Sequence, residues 1–439
     1  MNYSLGRLLL WIVFYVVMAI SPMLIAYVGP LPLPRSFWVE LSVGLGFVGL
    51  AIMGLQFVLT GRFQRVAASL GLDSMLQFHR QSGLIAFFFI LAHPLLLFVT
   101  NPGYLVYLDP RVNLPRALAL SAVLGALVLL IVTTLWRRTA GLRYEWWRVI
   151  HGVLALFVLF IGLVHILQVG FYVSTPWKQA LWIAMTDGAM LLLINTRVLR
   201  PLQMRRNPYY VTAVREERGR AWTLVLAPDG HEGMRFAAGQ FVWLTLGDSP
   251  FSLQQHPFSI SSSAEQHDRI ELTIKALGDF TSTMHTVEPG TRAYLEGPYG
   301  AFTLDPTSNQ GAVFIVGGVG ITPIMSMLRT LRDRGDQRPL LLIYGNSDWE
   351  SVLFQEELAL LQQALNLEVV HVLQNPPEGW QGETGLISKE ILGRWLPDEI
   401  AKNGYFVCGP EPMMDMVEPY LSQHGVPLRK IFSERFSIV

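Results

Sequence analysis

The first 200 residues contain six apolar runs, each about 20 residues long, and this feature constrains the fold most. A helix of about 20 apolar residues crosses the roughly 30 Å of hydrocarbon in a bilayer. Nearly charge-free segments such as 84–99 and 149–164 do not suit a compact soluble fold of this size. We therefore predict six transmembrane helices, at approximately 7–28, 37–60, 77–100, 115–136, 147–169 and 178–198.

Charge divides the chain into two different halves. Residues 1–200 contain 14 Lys or Arg and 5 Asp or Glu, whereas the remaining residues contain 19 and 28. The net charge of zero is therefore the sum of a basic half and an acidic half, which excludes a purely soluble protein, a disordered chain and a nucleic-acid binder with one basic face.

Flanking charges also predict the orientation. Six crossings put both termini on one side, and the segments on that side contain eleven arginines, against four basic residues on the other. The positive-inside rule therefore predicts a multi-pass protein of the cell's inner membrane with cytoplasmic N- and C-termini.

Four histidines are the main functional candidates in the membrane half. Of ten histidines, only His79, His93, His151 and His165 precede residue 200, and they lie in the third and fifth apolar runs. The two histidines of each run are 14 residues apart, which puts them on nearly the same helix face, about 21 Å apart along the axis. Since both runs cross in the same direction, His79 faces His151 near the cytoplasm and His93 faces His165 near the outer side. Two stacked haems with paired axial imidazoles match this arrangement.

The sequence leaves simpler roles open for these polar residues. A single membrane histidine can simply hydrogen-bond a neighbouring helix, but two pairs at one repeated spacing argue against coincidence. One zinc ion cannot be held by nitrogens at two levels about 21 Å apart. Arg80 and Arg148 are candidates for pairing with haem propionates or are ordinary positive-inside anchors. Asp187 in the sixth run is a candidate for a proton path or a partner of a helix-end amide.

After residue 206 the sequence predicts a small antiparallel barrel. Short β-rich runs separated by turns occur at 209–214, 222–226, 241–246 and 269–274. Two turn-like segments in this region, and one that follows a polar turn, suit close contact with a ligand, because glycine lets the backbone approach and Ser259 offers a hydroxyl. They are His256-Pro257-Phe258-Ser259, Gly278-Asp279-Phe280-Thr281 and Gly297-Pro298-Tyr299-Gly300. Each segment alone is equally compatible with an ordinary turn.

From about residue 309 strands and helices alternate, which predicts an open parallel sheet with ligands at the carboxyl ends of its strands. Strand 312–316 leads into a glycine-rich segment, 317–323, in which Thr322 is the predicted helix N-cap and Pro323 fits the first helical turn. The free amides at this helix start suit a pyrophosphate. Cys408-Gly409-Pro410 follows a later strand, 405–408; Cys408 is the only cysteine, and a small buried apolar role fits it equally well.

The four histidines and the segments above, in this order, resemble the NADPH oxidase and ferric reductase superfamily, over nearly the whole chain. The resemblance implies a multi-domain membrane protein. Its parts are a six-helix transmembrane haem-binding bundle (1–200) and a ferredoxin-reductase-like module, composed of an antiparallel FAD-binding β-barrel (201–306) and an α/β NAD(P)H-binding domain (307–439).

The resemblance also implies roles for individual residues. The axial ligands of two b haems are His79 with His151 and His93 with His165, with Arg80 and Arg148 near the inner haem. The residues against FAD are His256, Pro257, Phe258, Ser259, Gly278, Phe280 and Thr281. The residues against NADPH or NADH are Gly317, Gly318, Gly320, Thr322, Pro323, Cys408, Gly409 and Pro410. Three positions are implied in catalysis: Ser259 near the reactive flavin nitrogen, Cys408 beside the nicotinamide, and Phe436 over the flavin ring.

The implied activity is electron transfer from cytoplasmic NADPH or NADH, through FAD and two b haems, to O2 or ferric iron on the outer side. We expect the lipid bilayer as the surroundings, no nucleic acid and no obligatory protein partner. The alternatives are a quinone or a periplasmic protein as acceptor, or a cytoplasmic flavin reductase with a membrane anchor. Two features differ from the typical pattern of the superfamily. Three residues follow Phe436, whereas typical NADPH oxidases end at this aromatic residue. Segment 345–348 contains no arginine for a 2′-phosphate, so the sequence does not decide between NADPH and NADH.

Overall fold

The computed structural model describes residues 5–62, 72–137, 139–304 and 310–435. These residues form two compact units. The membrane unit contains Leu5–Arg62 and Met75–Leu199, and the C-terminal unit contains Arg200 and the residues after it, together with a short earlier segment. Phe436, for which the sequence predicts a position over the flavin ring, lies outside the described residues.

Six long helices make up the membrane unit. They are α1 (Leu5–Ala26), α2 (Phe37–Leu59), α3 (Leu72–Thr100), α4 (Leu114–Leu135), α5 (Tyr144–Val169) and α6 (Pro176–Ile194). In the described part of the chain, these six helices are long and apolar enough to cross a membrane, so the predicted number of spans is confirmed. Helix α6 continues through a π-helical turn (Asn195–Leu199) into the short helix α7 (Arg200–Arg206).

Helix α2 lies at the centre of the membrane unit, with half of its length buried by its neighbours. Small residues allow this close packing: a Cβ added to Gly49 would lie 2.8 Å from the Ile90 side chain. Likewise, a Cβ added to Gly162 of α5 would lie 2.7 Å from Leu50 of α2. Close backbone approach at small residues is how membrane helices gain packing contacts without a hydrophobic effect between them.

The first domain of the C-terminal unit is an antiparallel half-barrel. Its strands are β1 (Tyr209–Glu217), β2 (Ala221–Pro228), β3 (Phe241–Leu246), β4 (His256–Ser259), β5 (Ile270–Lys275) and β6 (Arg292–Tyr299). They pair in the order β4-β3-β6-β1-β2-β5, and a bridge between Ile260 and Leu272 brings the end of β4 back to β5. The predicted antiparallel architecture is thus confirmed.

Two of the candidate ligand segments in this domain are strands, although the second of them, Gly297–Gly300, is predicted to be a turn. His256–Ser259 pairs with β3, with Ser259 opposite Phe241. Pro257 is tolerated there because β4 is an edge strand in the hydrogen-bonded order. Gly297, Pro298 and Tyr299 belong to the end of β6, where Tyr299 also pairs with Phe241, and only Gly300 follows the strand.

The second domain of the C-terminal unit is an α/β domain with a parallel sheet, as predicted. Its strands are β7 (Ala312–Gly317), β8 (Leu340–Asn346), β9 (Leu367–Leu373), β10 (Glu383–Thr384), β11 (Gly404–Cys408) and β12 (Ile431–Glu434). Its helices are α8 (Ile321–Asp333), α9 (Gln355–Ala364), α10 (Lys389–Trp395) and α11 (Glu411–Gln423). The strand order β10-β9-β8-β7-β11-β12 changes direction at β7, and ligands bind at such switch points.

Candidate functional site

The four membrane histidines form the two predicted pairs. The rings of His79 on α3 and His151 on α5 have their centroids 6.2 Å apart, and those of His93 and His165 are 6.3 Å apart. Two metal–imidazole bonds of about 2 Å each, plus about 1 Å from each nitrogen to its ring centre, give a separation of about 6 Å. Both gaps therefore fit one metal ion between two imidazoles.

Hydrogen bonds orient the ring of His93. Its Nδ1 lies 2.9 Å from the backbone carbonyl oxygen of Ser42 on α2, and the Ser42 hydroxyl donates to the His93 carbonyl at 2.7 Å. When Nδ1–H donates to a carbonyl, Nε2 carries the lone pair that a metal needs. In the inner pair, Nδ1 of His151 lies 3.3 Å from the Thr134 hydroxyl on α4. This outer-shell support is typical of metal-binding histidines.

A largely apolar cavity surrounds the outer pair, His93 and His165. Helices α2 to α5 line it, and the free space amounts to about 1370 Å³, including the part that opens to the surroundings. A Cβ added to Gly46 would lie only 3.1 Å from the His93 ring, so this glycine makes room for the ring. Arg35, Tyr104 and Tyr172 are polar residues among the cavity lining. The cavity suits a flat apolar group with a few polar substituents.

The described residues contain no group of three or more His, Cys, Asp or Glu side chains that could hold a bare metal ion. Each histidine pair therefore supplies only two ligands, and a bound metal needs its remaining ligands from a cofactor. Haem supplies four pyrrole nitrogens and leaves two axial positions. The donor set and the two gaps fit haem better than a structural zinc site, which takes four protein ligands.

The charged candidates of the membrane unit lie in less specific places. Arg80 is exposed on α3, while the guanidinium carbon of Arg148 lies 5.8 Å from the Tyr144 ring centroid. Their pairing with propionates stays a prediction. Asp187 is exposed on α6, on the same outward stripe as Ile183 and Leu191.

The predicted flavin segment brings together a buried hydroxyl and stacked rings. Ser259 is buried, and among the described residues its Oγ has no hydrogen-bond partner. The His256 ring stacks on Phe280 with centroids 4.2 Å apart, and Phe258 lies 6.3 Å from Phe280. The structure thus joins two segments that are separate in the sequence, and the buried free hydroxyl fits a flavin ring that offers a polar edge.

The residues predicted to contact the FAD phosphates form a turn. Thr281 Oγ1 accepts hydrogen bonds from the amides of Leu277 and Gly278, both at 2.9 Å, and donates to the Gly278 carbonyl at 3.1 Å. The Thr281 hydroxyl therefore holds the turn together. Contact of Gly278, Phe280 and Thr281 with phosphate stays a prediction.

Glycines bring the two nucleotide segments into backbone contact at the switch point. A Cβ added to Gly320 would lie 2.3 Å from the Cys408 carbonyl oxygen, and one added to Gly317 would lie 2.6 Å from Pro410. Gly409 is equally crowded, because its added Cβ would lie 2.9 Å from the Gly317 amide nitrogen. Side chains at these positions would separate the loops after β7 and β11. The glycines are therefore required by this backbone contact, which lies at the switch point of the sheet, where the nucleotide groove is predicted.

The structure contradicts the predicted role of Thr322 and agrees with a buried position for Cys408. Thr322 is not the N-cap, because α8 already begins at Ile321, after a 3-10 turn at Gly318–Gly320. The Thr322 hydroxyl donates instead to the Val319 carbonyl at 2.7 Å. Pro323 lies in the first turn, as predicted. Cys408 is fully buried at the end of β11, as expected for a small apolar residue, and its place beside nicotinamide stays a prediction.

Three protein-family models match the chain in the expected order. They are described as the ferric reductase like transmembrane component (residues 45–162), an FAD-binding domain (227–303) and the oxidoreductase NAD-binding domain (314–419). The chain has the domain architecture of the NADPH oxidase and ferric reductase superfamily. It is a multi-pass membrane oxidoreductase with FAD-binding and NAD(P)H-binding domains. The transmembrane match contains His79, His93 and His151, and His165 follows its end by one helical turn.

NADH-cytochrome b5 reductases are also similar to part of this chain. NADH-cytochrome b5 reductase 2 of Phaeosphaeria nodorum is 34% identical over 164 residues, which cover 36% of this chain and 49% of the relative. NADH-cytochrome b5 reductase 1 of Dictyostelium discoideum is 29% identical over 181 residues, covering 40% and 63%. The chain thus spans about half the length of the curated relatives it matches. A flavohemoglobin structure from Malassezia yamatoensis has a TM-score of 0.51 at 19% identity, covering 92% of this chain and 99% of that one, which concerns the fold alone.

Some residues that support the candidate sites could not be predicted from the sequence. Ser42 orients His93 through its backbone carbonyl, which no residue type reveals. Arg329, by contrast, left a usable signal: it is the only charged residue in the helical segment 321–331.

Proposed function

We propose that this protein transfers electrons from cytoplasmic NADH or NADPH across the inner membrane to O2 or ferric iron on the outer side. The observation that carries the proposal is the presence of two histidine pairs with nearly equal ring separations, 6.2 and 6.3 Å, in the membrane unit of an FAD- and NAD(P)H-binding chain. When bound, FAD accepts a hydride from the nucleotide and releases electrons singly, as haem iron requires.

The chain's own residues would hold these groups in defined ways. His79 with His151, and His93 with His165, would each provide both axial ligands of one b haem. The Ser42 carbonyl would keep the Nδ1 proton on His93 and leave Nε2 for iron. Ser259 would offer its hydroxyl to the flavin edge, and the backbone amides around Gly318 would receive the pyrophosphate.

A small acceptor is favoured by the outer end of the membrane unit. The segments that join its helices there are short, at 27–36, 101–113 and 170–175. The cavity around His93 and His165 also opens to its surroundings, so a small molecule can reach the outer pair. O2 and ferric iron meet this requirement. The cytoplasmic position of both termini rests on the charge asymmetry of the sequence.

NADH is favoured over NADPH by the charges after β8. The Asp348 carboxylate accepts a hydrogen bond from the Ser351 amide at 2.8 Å, and Glu350 is exposed beside it. Segment 345–351 contains no Lys or Arg, so it offers no cation of its own to a 2′-phosphate placed there. The names of the relatives given above specify NADH as well.

The proposal is tested on the full chain purified in detergent. Haem and FAD are quantified, and consumption of NADH and NADPH is then followed with O2, ferric citrate and a soluble quinone, with superoxide detection. We expect a haem spectrum, a higher kcat/KM for NADH and acceptor-dependent turnover with O2 or ferric iron. Turnover with the quinone alone would show that a quinone, and not O2 or ferric iron, accepts the electrons. Absence of haem would leave a membrane-anchored flavin reductase and refute the proposal.

A further inference from the structure

Helix α8 is attached to the half-barrel by a buried arginine that belongs to none of the ligand-binding segments. The Arg329 side chain is 9% exposed. One of its terminal nitrogens donates to the Ser261 carbonyl at 2.7 Å and to Glu271 of β5 at 3.0 Å. Its other two nitrogens donate to the Glu357 carboxylate of α9 at 2.7 and 2.6 Å. One guanidinium thus joins three elements from both domains of the C-terminal unit.

Two further hydrogen bonds lie on the same face of α8. The Ser326 hydroxyl donates to the Ser262 carbonyl at 2.8 Å, and the Ala264 amide donates to the Thr330 hydroxyl at 2.9 Å. Residues 326, 329 and 330 share a helix face because they are three or four positions apart. We call Ser326, Arg329 and Thr330, with the segment 261–264 and the carboxylates of Glu271 and Glu357 that they contact, the α8 cluster.

The α8 cluster connects the two halves of the reaction site by very short paths. Segment 261–264 begins two residues after Ser259, whose free hydroxyl marks the flavin site. Helix α8 begins immediately after the Gly318–Gly320 turn at the nucleotide groove. Little flexible chain therefore separates the cluster from either site, so a shift in the cluster moves one site relative to the other.

The buried charges of the α8 cluster distinguish it from an ordinary exposed ion pair. Glu271 is 2% exposed and also lies 2.8 Å from Arg215 and 3.3 Å from Arg269, so three guanidinium groups compensate its charge. Burial alone would lower the pKa of Arg329, but the hydrogen bonds and charges of Glu357 and Glu271 raise it, which keeps the guanidinium charged. Removing one member of such a buried pair leaves an unpaired charge, whereas an exposed pair contributes little. Arg334 and Glu265 form an exposed pair of this second kind between the same domains, at 2.6 Å.

We propose that Arg329 is a positioning residue that sets the approach of the nicotinamide to the flavin. The inference rests on the proposed function. In the reaction a hydride leaves the nicotinamide and is accepted by the flavin, so the nucleotide loses two electrons and the flavin gains two. Its rate depends steeply on the separation of the reacting atoms, and the α8 cluster holds the two domains that bind them.

The test compares Arg329→Met, Arg329→Lys and Glu357→Gln in the full chain, with Arg334→Met as the exposed interdomain control. Flavin reduction by saturating NADH is measured without oxygen in a single turnover, and nucleotide affinity is measured separately by titration with NAD⁺. A third readout does not require activity: spin labels at Glu288→Cys and Gln363→Cys, both exposed, report the distance between the domains. The native Cys408 is buried, so the labels react at the introduced positions.

We expect Arg329→Met to reduce the single-turnover rate by about 10²-fold and to broaden the interdomain distance. NAD⁺ affinity should change by less than about threefold, because the groove itself is intact. Arg329→Lys should restore part of the rate, and Arg334→Met should behave like the wild type.

Unchanged rate and distance in Arg329→Met would overturn the proposal, as would an effect of the same size in Arg334→Met. If Arg329→Met does not fold, Arg329→Lys and Glu357→Gln decide by the same two readouts. A wild-type protein that neither nucleotide reduces would refute the proposed function, while the distance measurement would still test the α8 cluster.

Discussion

Side chains form the candidate site of the membrane unit, whereas the backbone forms most of the candidate nucleotide site of the C-terminal unit. In the membrane unit, four imidazole side chains stand against an apolar background, and single hydrogen bonds such as that from His93 to the Ser42 carbonyl orient them. In the C-terminal unit the backbone forms most of the candidate nucleotide site, since Gly317, Gly320 and Gly409 allow two loops to touch. We therefore expect the membrane site to be lost when one imidazole side chain is removed, and the nucleotide site to be lost when a side chain is added to one of the glycines.

The largest expected effect is the loss of one haem on His93→Ala. The proposed outer haem would have only two protein ligands, so the haem-to-FAD ratio should fall from about two to about one. The inner pair, about 21 Å away along the helices, should keep its haem. His165→Ala is the matched variant and should give the same ratio and the same remaining spectrum. Retention of both haems in either variant would contradict the assignment of the membrane site to these side chains.

A smaller effect is expected when a methyl group is added to the backbone site. In Gly320→Ala the new Cβ would lie 2.3 Å from the Cys408 carbonyl oxygen, and the two loops must separate. Overpacking of this kind costs about 1–3 kcal/mol, so NADH affinity should fall by about tenfold or more, with haem content unchanged. Gly393→Ala, in helix α10, is the control and should leave affinity unaltered. Normal NADH binding by Gly320→Ala would show that the loops need not touch.

Acid should weaken the α8 cluster through Glu357. Burial would raise the pKa of Glu357, but the hydrogen bonds and charge of Arg329 lower it below its ordinary value of 4.5. A carboxylate with a lowered folded pKa stabilises the fold fully above pH 4.5 and loses this stabilisation as the pH falls through the folded value. Thermal unfolding should therefore show an advantage of about 1 kcal/mol for wild type over Glu357→Gln at pH 7. This advantage should shrink below pH 4.5, and a constant difference at all pH values would argue against the ion pair.

The smallest effect is expected for Ser42→Ala, although Ser42 is the orienting residue of His93. The acceptor for Nδ1 is the backbone carbonyl, which alanine retains, and only the hydroxyl contacts at 3.1 and 2.7 Å are lost. Loss of an outer-shell partner typically costs 10–100-fold in metal affinity, and here we expect less than about tenfold. Haem retention during dilution measures this. Complete loss of the outer haem would show that the hydroxyl, and not the carbonyl, orients the ring.

The sequence was most informative where the candidate functional residues differ in type from the residues around them. Four histidines in apolar helices were visible at once, and their repeated 14-residue spacing predicted the pairing that the structure confirms. The strand–helix alternation after residue 309 likewise predicted the parallel sheet.

Features that depend on backbone geometry could not be read from residue types. Thr322 looks like an N-cap, but the helix begins one residue earlier because a 3-10 turn precedes it. The segment at Gly297 and Pro298 looks like a turn, yet it is the end of strand β6. The α8 cluster joins residues far apart in sequence, and Arg329, the only charged residue of segment 321–331, is its one sign in the sequence.

The proposed electron path requires that each histidine pair holds one haem. The most direct test is to determine haem and FAD in the purified full chain and to record the electron paramagnetic resonance spectrum of the oxidised protein. We predict about two haems per FAD, both low-spin with two axial imidazoles. One haem per FAD, a high-spin iron or a protein that contains flavin but no haem would contradict it.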